Sequence, residues 1–321
     1  YPEGIFYSAS QMREPFLISG FAIATWGILN WKPSRNLSLI AITTSILFMA
    51  LISWRITILL IGALFIWFWI ENYAGSIRSQ AKGSKWIIPI IIILSSIAIL
   101  SSLTWLRTSM WWDFRMTEQN SERLVLEIER IGEQWRAPVI VAFGVTQVIL
   151  PAAIVQPSIA LWRGLTIFRS AGWYLMAPML LYSLFIFWKA KTQKDRAVLF
   201  WLISATIGWT LLASARAGGD LWDNPRYRTI FLPWMAILAS WAWQNRNAWL
   251  GRLFLIESIF LGFFTEWYIA RYYLGNWIRM PFWEIVVWIG VLSVLVILIG
   301  LGWDYRYQLK PFGHIINNRS E

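Results

Sequence analysis

Three arginines and two aspartates share one short polar stretch between two long hydrophobic segments. The stretch Arg-Ala-Gly-Gly-Asp-Leu-Trp-Asp-Asn-Pro-Arg-Tyr-Arg contains Arg216, Asp220, Asp223, Arg226 and Arg228. A guanidinium group stays charged and donates two parallel hydrogen bonds, which suits phosphate and carboxylate groups. The stretch therefore indicates a site for a forked anion, and its aspartates could orient the arginines or hold a divalent cation that bridges to phosphate.

A helix is predicted to begin inside this stretch. Asn224 followed by Pro225 is typical of a helix N-cap and first turn. The free N–H groups and the positive end of the helix dipole would then add to the charge of Arg226 and Arg228. We expect both guanidinium groups to face water at the membrane edge. A second interpretation stays open, in which these arginines only anchor a helix end among lipid headgroups.

The composition is that of a polytopic membrane protein. Of 321 residues, 58% are hydrophobic and only 14% are charged, which excludes an ordinary soluble protein. The 25 tryptophans suit interfacial belts. The net charge of +11 lies in loops between apolar runs, which favours anionic membrane lipid over nucleic acid as a partner. The absence of cysteine and the single histidine, His314, exclude thiolate and histidine metal sites and a Ser-His-Asp triad.

The apolar runs predict an all-α, polytopic transmembrane helical bundle with about nine spans. The segment 138–162 is not one of these spans, because Pro138, Pro151 and Pro157 break it into pieces too short to span. We interpret it as a re-entrant segment that enters and leaves on the external side, with Pro151 near its break. The nine predicted spans are 15–31, 36–53, 56–71, 86–106, 171–188, 197–215, 229–244, 253–272 and 282–303.

The lysines predict the orientation. If 138–162 is re-entrant, one topology places every lysine on the cytoplasmic side of a plasma (inner) membrane, as the positive-inside rule requires. The predicted external stretches are then Tyr1 to Glu14, 107–137, 163–170, 216–228 and 271–281, and their cations are all arginines. The lysines are Lys32, Lys82, Lys85, Lys189, Lys191, Lys194 and Lys310.

The stretch 107–137 is predicted to be an external insertion in a single membrane domain that covers 1–321. Leu124, Ile128, Ile131 and Trp135 fall on one face of a helix, which indicates an amphipathic helix on the outer leaflet. Because the chain begins without Met or a signal peptide, we expect it to be the C-terminal portion of a longer protein.

Two carboxylates, Glu257 and Glu266, lie inside the predicted span 253–272. An intramembrane carboxylate is a candidate functional group. Glu266 lies about one turn from the outer end of the span, near Arg271, and we expect the two to form a structural ion pair.

Several of these motifs resemble the C-terminal half of the GT-C integral membrane glycosyltransferases. The loop that ends Asn-Pro-Arg226-Tyr227-Arg228, followed by a span that opens Thr-Ile-Phe-Leu-Pro233, is similar to theirs. The stretch Tyr7 to Glu14 resembles the second external loop of that family. The stretch Gln147 to Pro151, followed by Arg163 and Arg169, is similar to a subset of its bacterial members. The resemblance implies a polyprenyl-phosphate sugar donor, whose phosphate would be bound by Arg216, Arg226, Tyr227, Arg228, Arg163 and Arg169.

The chain departs from the family at its start. The family places its catalytic aspartate in the first external loop, and no aspartate precedes Asp113 here. Sugar transfer needs a carboxylate base for the acceptor hydroxyl and cations for the leaving phosphate. The catalytic residue is therefore open, and the candidates are Glu14, Asp113, Asp220 and Asp223.

Three functions remain open from the sequence. The first is a GT-C-like glycosyltransferase of the cell envelope, or its lipid-phosphate-binding half. The second is a non-catalytic structural subunit of a larger membrane-protein complex derived from that fold. The third is a polysaccharide polymerase or transporter.

Overall fold

The computed structural model describes residues 1–9, 12–73, 129–130, 132–217, 223–274 and 280–317. Helices provide all the regular secondary structure in these residues. The α-helices are α1 (Pro2–Ser8), α2 (Glu14–Leu29), α3 (Arg35–Tyr73), α4 (Arg136–Thr146), α5 (Leu150–Val155), α6 (Ala160–Ile186), α7 (Gln193–Ala217), α8 (Asp223–Arg228), α9 (Leu232–Gln244), α10 (Ala248–Ile269) and α11 (Phe282–Asn317). A 3₁₀ turn, Thr229–Phe231, joins α8 to α9, and a π-helical turn, Ala270–Leu274, follows α10.

Five helices in the described part are long and apolar enough to cross a membrane, which supports the prediction of an all-α membrane protein. They are Arg35–Asn72, Ala160–Lys189, Gln193–Ala217, Ala248–Leu274 and Phe282–Arg306.

The predicted number of nine spans stays a prediction. Two predicted spans, 36–53 and 56–71, fall inside α3, and 86–106 lies outside the described residues. The spans 15–31 and 229–244 correspond to α2 and α9, which have only 16 and 13 residues.

The chain forms two compact units. Unit 1 comprises 1–148 and 183–241, and unit 2 comprises 149–182 and 242–321. The sequence predicted one membrane domain for the same residues.

In unit 1, α3 reverses direction near its middle. Ser53 has a non-helical backbone (φ −159°, ψ 88°). A straight helix would separate Arg35 from Phe68 by about 50 Å. However, the Phe68 ring lies only 4.8 Å from the ring of Trp31, which precedes α3. The two halves of α3 are therefore antiparallel, in agreement with the two runs 36–53 and 56–71.

The core of unit 1 is an aromatic cluster around α9. Trp234 is fully buried, and its ring lies 5.1 Å from Phe21, 5.3 Å from Phe231 and 5.5 Å from Trp67. Its indole N–H donates to the Thr25 hydroxyl at 3.0 Å, so the polar atom of this buried ring is satisfied. These contacts pack the 3₁₀ turn and α9 against α2 and α3.

One end of unit 1 is rich in lysine. Lys32 directly follows Trp31, whose ring contacts Phe68. One turn beyond Phe68, Glu71 forms an ion pair with Lys194 at the start of α7. The ends of α2 and α3 and the start of α7 therefore lie together, as the predicted cytoplasmic side requires.

The opposite end of unit 1 is rich in arginine. The helix α7 has 25 residues and is about 37 Å long. It begins beside the lysine end and finishes beside Arg216. Arg216 contacts Tyr227, and Arg226 contacts Glu14 at the start of α2. Lys32 and Lys194 thus lie at one end of this unit, and Arg13, Arg216 and Arg226 lie at the other.

This polarity gives a prediction about the sides of the membrane. Because the chain has no cysteine, each substitution introduces a single thiol. In intact cells, we expect an impermeant thiol reagent to label Arg123→Cys and Asp220→Cys but not Lys32→Cys or Lys191→Cys. Permeabilised cells are the control, in which all four variants are labelled. Labelling of position 32 in intact cells would reverse the predicted orientation.

In unit 2, α10 and α11 form an antiparallel pair joined by an ion pair. The Arg252 guanidinium donates to both carboxylate oxygens of Asp304 at 2.7 Å. This fork lies against Gly300, where an added Cβ would come within 2.7 Å of Arg252 Nε. The short helix α5 packs on α10, and the Tyr273 hydroxyl donates to the Val155 carbonyl at 2.9 Å.

The segment 138–162 is not one helix. The helix α4 ends at Thr146, non-helical backbone follows through Ile149, and α5 begins at Leu150 with Pro151 in its first turn. A second non-helical stretch precedes α6. The break next to Pro151 agrees with the sequence pattern, whereas entry and exit on the same side of a membrane stay a prediction.

Two predicted polar connections differ in the structure. Residues 163–170 were expected to be an external loop but belong to the continuous helix α6. Most of the insertion 107–137 lies outside the described residues. In its described part, Gly132 has a φ of 109° and separates the helical residues 129–130 from the 3₁₀ turn Glu133–Trp135. The predicted amphipathic helix therefore does not run unbroken to Trp135.

Candidate functional site

The candidate site lies at the arginine end of unit 1, where α8, the start of α2 and the end of α7 meet. We define the Glu14 cluster as Arg13, Glu14, Arg216, Arg226 and Tyr227. The helix α8 packs against α7, and the 3₁₀ turn that follows it packs against α2. Three distant parts of the sequence therefore bring these five side chains together.

Glu14 is the carboxylate of the cluster. Its Oε1 lies 3.2 Å from Arg13 Nε and 3.2 Å from Arg226 Nε. Only 1% of the Glu14 side chain is exposed, against 42% for Arg13 and 21% for Arg226. One buried oxygen is thus shared by two guanidinium groups that reach solvent.

The Tyr227 ring contacts two arginines of the cluster, Arg216 and Arg226. The Arg216 guanidinium lies 4.2 Å from the centre of the Tyr227 ring, and the Arg226 guanidinium lies 5.0 Å from it. Arg226 also donates to the tyrosine hydroxyl at 3.1 Å. The Trp209 indole N–H donates to the Tyr227 carbonyl at 2.8 Å, which fixes this residue against α7. Cation–π contacts of this kind orient an arginine while its N–H groups remain able to bind an anion.

The described side chains of the cluster carry more positive than negative charge. Its described members are three arginines and one carboxylate, which gives two net positive charges. Arg13, Arg216 and Arg226 are all at least partly exposed. A forked anion such as phosphate can therefore reach guanidinium groups that are already oriented.

Arg228 has a different environment, because it is completely buried. Its Nη1 donates to the Gln147 carbonyl at 2.8 Å and to the Val145 carbonyl at 3.3 Å, and its Nη2 donates to Glu3 Oε2 at 3.4 Å. One turn earlier in α8, the Asn224 amide donates to the Gly144 carbonyl at 2.7 Å.

These bonds form a cap on α4. A helix end leaves its last carbonyls without intrahelical partners, and it carries a partial negative charge. Asn224 and Arg228 supply N–H donors to the carbonyls of 144, 145 and 147, where α4 breaks. The positive charge of Arg228 also faces the negative end of the α4 dipole. The Asn-Pro-Arg-Tyr-Arg motif therefore stabilises the break in the segment 138–162.

Glu3 completes the buried environment of Arg228. Both side chains have 0% exposure, and the Tyr1 hydroxyl donates to Glu3 Oε2 at 2.8 Å. Burial raises the pKa of the Tyr1 phenol well above its usual value, and the neighbouring Glu3 raises it further. The phenol therefore stays protonated and remains a donor to Glu3.

Two expectations for this loop are wrong. Asn224 does not cap the following helix, because α8 already begins at Asp223 and the Asn224 side chain donates to α4. Arg228 does not face water, because its side chain is buried and donates to carbonyl groups at the end of α4. The helix α8 also has only six residues, so its dipole adds little to an anion site.

The remaining predicted site residues are Arg163, Arg169, Asp113, Asp220 and Asp223. Arg163 and Arg169 belong to unit 2, in the first turns of α6. Arg163 donates to the Gln156 carbonyl at 3.4 Å, whereas Arg169 is 2% exposed. Asp113 and Asp220 lie outside the described residues, and the side chain of Asp223 is not described.

Of the four catalytic candidates, Glu14 is the one whose side chain the structure describes, and it lies beside Arg226. Among the described residues, no group of three or more acidic, histidine or cysteine side chains could hold a metal ion. A divalent cation at Asp220 and Asp223 therefore stays a prediction.

Sequence reasoning missed Glu3 and the role of Asn224. Glu3 is separated from Arg228 by 225 positions, and no local pattern links the two. For Asn224 a signal existed, because Asn224 and Arg228 are four residues apart and share one helix face, whereas Arg226 points elsewhere.

No family model, curated protein or solved structure matches this chain.

Proposed function

We propose that this chain is a GT-C-like membrane glycosyltransferase, or the lipid-phosphate-binding part of one, which moves a sugar from a polyprenyl-phosphate donor. The observation that supports this function best is the contact between Glu14 and Arg226, with Oε1 and Nε 3.2 Å apart. It brings a carboxylate and a partly exposed cation together at the end of unit 1 opposite the lysines.

The cluster supplies both chemical groups that the reaction needs. The acceptor hydroxyl oxygen attacks the anomeric carbon, and the bond from that carbon to the phosphate oxygen breaks. Polyprenyl phosphate leaves with the bonding electrons, and the hydroxyl proton moves to a base. In this scheme Arg226, Arg216 and Arg13 stabilise the phosphate, and Glu14 accepts the proton.

The shared contact of Arg226 couples donor binding to the base. In the structure, the Glu14 carboxylate forms ion pairs with Arg13 and Arg226. A donor phosphate competes with Glu14 for the Arg226 guanidinium, because both are forked anions. Donor binding would therefore release the carboxylate from one of its two cations at the moment when a base is required.

The membrane arrangement belongs to the same proposal. About nine spans, a re-entrant segment 138–162 and cytoplasmic lysines would place the Glu14 cluster at the external face of a plasma membrane. Polyprenyl-phosphate sugars could approach this face from the lipid phase, with the phosphate at headgroup depth and the prenyl chain among the spans.

A second candidate function is a structural subunit of a membrane-protein complex. The buried contacts of Glu3, Arg228 and Asn224 favour it, because they show that much of the arginine-rich loop stabilises the fold. Under this alternative, the exposed arginines of the Glu14 cluster only anchor the unit among headgroups.

Binding of a polyprenyl-phosphate analogue separates the two candidates. An arginine with a charge-assisted bond contributes about 1.5–3 kcal/mol, so Arg226→Ala should weaken binding roughly ten- to a hundredfold. Arg226→Lys should recover only part of the affinity, since ammonium lacks the fork. The measurement is titration of the purified protein in detergent.

Arg35→Ala is the matched control. Arg35 is also exposed and lies over a tryptophan ring, 5.6 Å from the centre of Trp31, but it belongs to the lysine end. This variant should bind like the wild type. Equal affinity of wild type, Arg226→Ala and Arg226→Lys would refute the phosphate site and favour the structural subunit.

A further inference from the structure

Unit 2 contains an open cleft between α10 and α11. Its volume is about 510 Å³, and its lining is largely apolar. The residues that matter here are Ser258, Gly262 and Glu266 on α10 and Leu292 on α11. Both helices are long and apolar. In the most apolar 18-residue stretch of each helix, only 11% is buried. The cleft therefore opens on a surface that unit 2 itself leaves uncovered.

Glu266 places a carboxylate in this apolar cleft. The expected ion pair with Arg271 does not form, since the Arg271 guanidinium lies over the rings of Trp267 and Tyr272, 5.6 and 5.5 Å from their centres. Among the described residues, Glu266 makes no ion pair. A carboxylate within a membrane span is costly unless a cation or a hydrogen-bond donor approaches it.

The helix face that carries Glu266 permits close approach of another helix. Ser258, Gly262 and Glu266 follow each other at intervals of four residues, so they form one row along α10. Gly262 is exposed, and a Cβ added to it would meet no atom within 4 Å. Small residues in such a row let two helix backbones pack closely in a membrane.

We propose that the cleft binds a membrane-spanning helix of a partner protein that carries an arginine or lysine. The cation would pair with Glu266, and the backbone of the partner helix would pack against Ser258 and Gly262. Charge complementarity identifies the occupant. An anionic phospholipid would bring a phosphate without a cation towards Glu266, and a symmetric contact with a second copy would place two Glu266 carboxylates on the same interface.

The test uses a synthetic helix as the probe. One peptide has about 20 leucine and alanine residues with a central arginine, and its matched partner has glutamine in place of the arginine. Association with the reconstituted protein is measured by energy transfer in lipid vesicles. We expect the arginine peptide to bind wild type about tenfold more tightly than the glutamine peptide.

Two variants and two matched controls examine the cleft. Glu266→Gln should remove the preference for arginine, and Gly262→Leu should weaken binding of both peptides by filling the row. Glu257→Gln is the charge control, since Glu257 lies about two and a half turns away and faces the other side of α10. Gly290→Leu is the size control, because Gly290 is exposed on α11 and also has open space around it.

The outcomes are distinct. Loss of arginine preference in Glu266→Gln, but not in Glu257→Gln, supports the proposal. Equal binding of both peptides to wild type would overturn it, as would an unchanged affinity in Gly262→Leu. If a photoreactive phospholipid occupies the cleft of wild type and excludes the arginine peptide, the occupant is lipid and the proposal is wrong.

Discussion

Replacement of Arg228 with alanine is expected to prevent the protein from accumulating in its folded form. The substitution removes the donors to the carbonyls of Val145 and Gln147 and leaves Glu3 buried without its cation. Breaking a buried pair by removing one partner costs about 3–5 kcal/mol. A typical domain has only about 5–15 kcal/mol of stability, so this loss is a large fraction of it.

Thermal unfolding and size-exclusion chromatography in detergent measure this effect. Arg226→Ala is the matched control from the same loop, and its melting temperature should fall less than that of Arg228→Ala, because Arg226 is 21% exposed and the buried Glu14 keeps its contact with Arg13. The variant Arg228→Lys should be intermediate, since one ammonium cannot reproduce the fork that reaches α4 and Glu3 together.

A double substitution separates charge from packing. In Glu3→Gln with Arg228→Met, both buried charges disappear, and the bulk of each side chain is roughly kept. We expect this protein to be more stable than Arg228→Ala, because no isolated charge remains in the interior. A melting temperature of Arg228→Ala equal to that of Arg226→Ala would contradict the assignment of Arg228 as a cap on α4.

The local features of the fold could be predicted from the sequence. The Lys32-Pro33 turn separates α2 from α3, and the prolines of 138–162 produce the observed break before Pro151. The two apolar runs that surround Arg55 correspond to the two halves of α3, on either side of Ser53. Each of these features is decided by neighbours in sequence, through proline sterics or the length of an apolar run.

The different burial of Arg226 and Arg228 could not be predicted in the same way. A polar loop at the end of an apolar run indicates exposure, and both Arg226 and Arg228 were expected to face water. The destination of Arg228 depends on the broken end of α4 and on Glu3, which lie 81 and 225 positions away. Only tertiary structure brings a helix end with unsatisfied carbonyls to this arginine.

The boundary of α6 shows another limit of the sequence pattern. Arg163 and Arg169 interrupt the apolar run, so a loop was expected at 163–170. The structure instead continues the helix through them, because arginine favours helices and its long side chain can reach polar partners from an apolar environment. Hydropathy locates apolar segments, but it does not locate helix ends that carry charge.

Replacement of Glu14 with glutamine is expected to lower sugar transfer by about 10²- to 10⁴-fold, the usual contribution of a general base. The amide keeps the shape of the side chain but cannot accept the hydroxyl proton. The uncharged amide also competes less than a carboxylate with phosphate for the Arg226 guanidinium. A polyprenyl-phosphate analogue should therefore bind the variant as tightly as wild type or several-fold more tightly. This combination, a lower kcat without a higher KM, would not arise from a merely structural carboxylate.

Transfer from a panel of polyprenyl-phosphate sugars, measured in membranes that contain equal amounts of each variant, provides the test. Glu71→Gln is the control, because Glu71 is also a carboxylate of unit 1 in an ion pair, with Lys194, at the opposite end. It should transfer sugar at the wild-type rate. Wild-type turnover in Glu14→Gln would remove Glu14 from the mechanism and leave the base to Asp113, Asp220 or Asp223. A parallel loss of donor binding and turnover would instead mean that Glu14 only holds Arg226 in place for the phosphate.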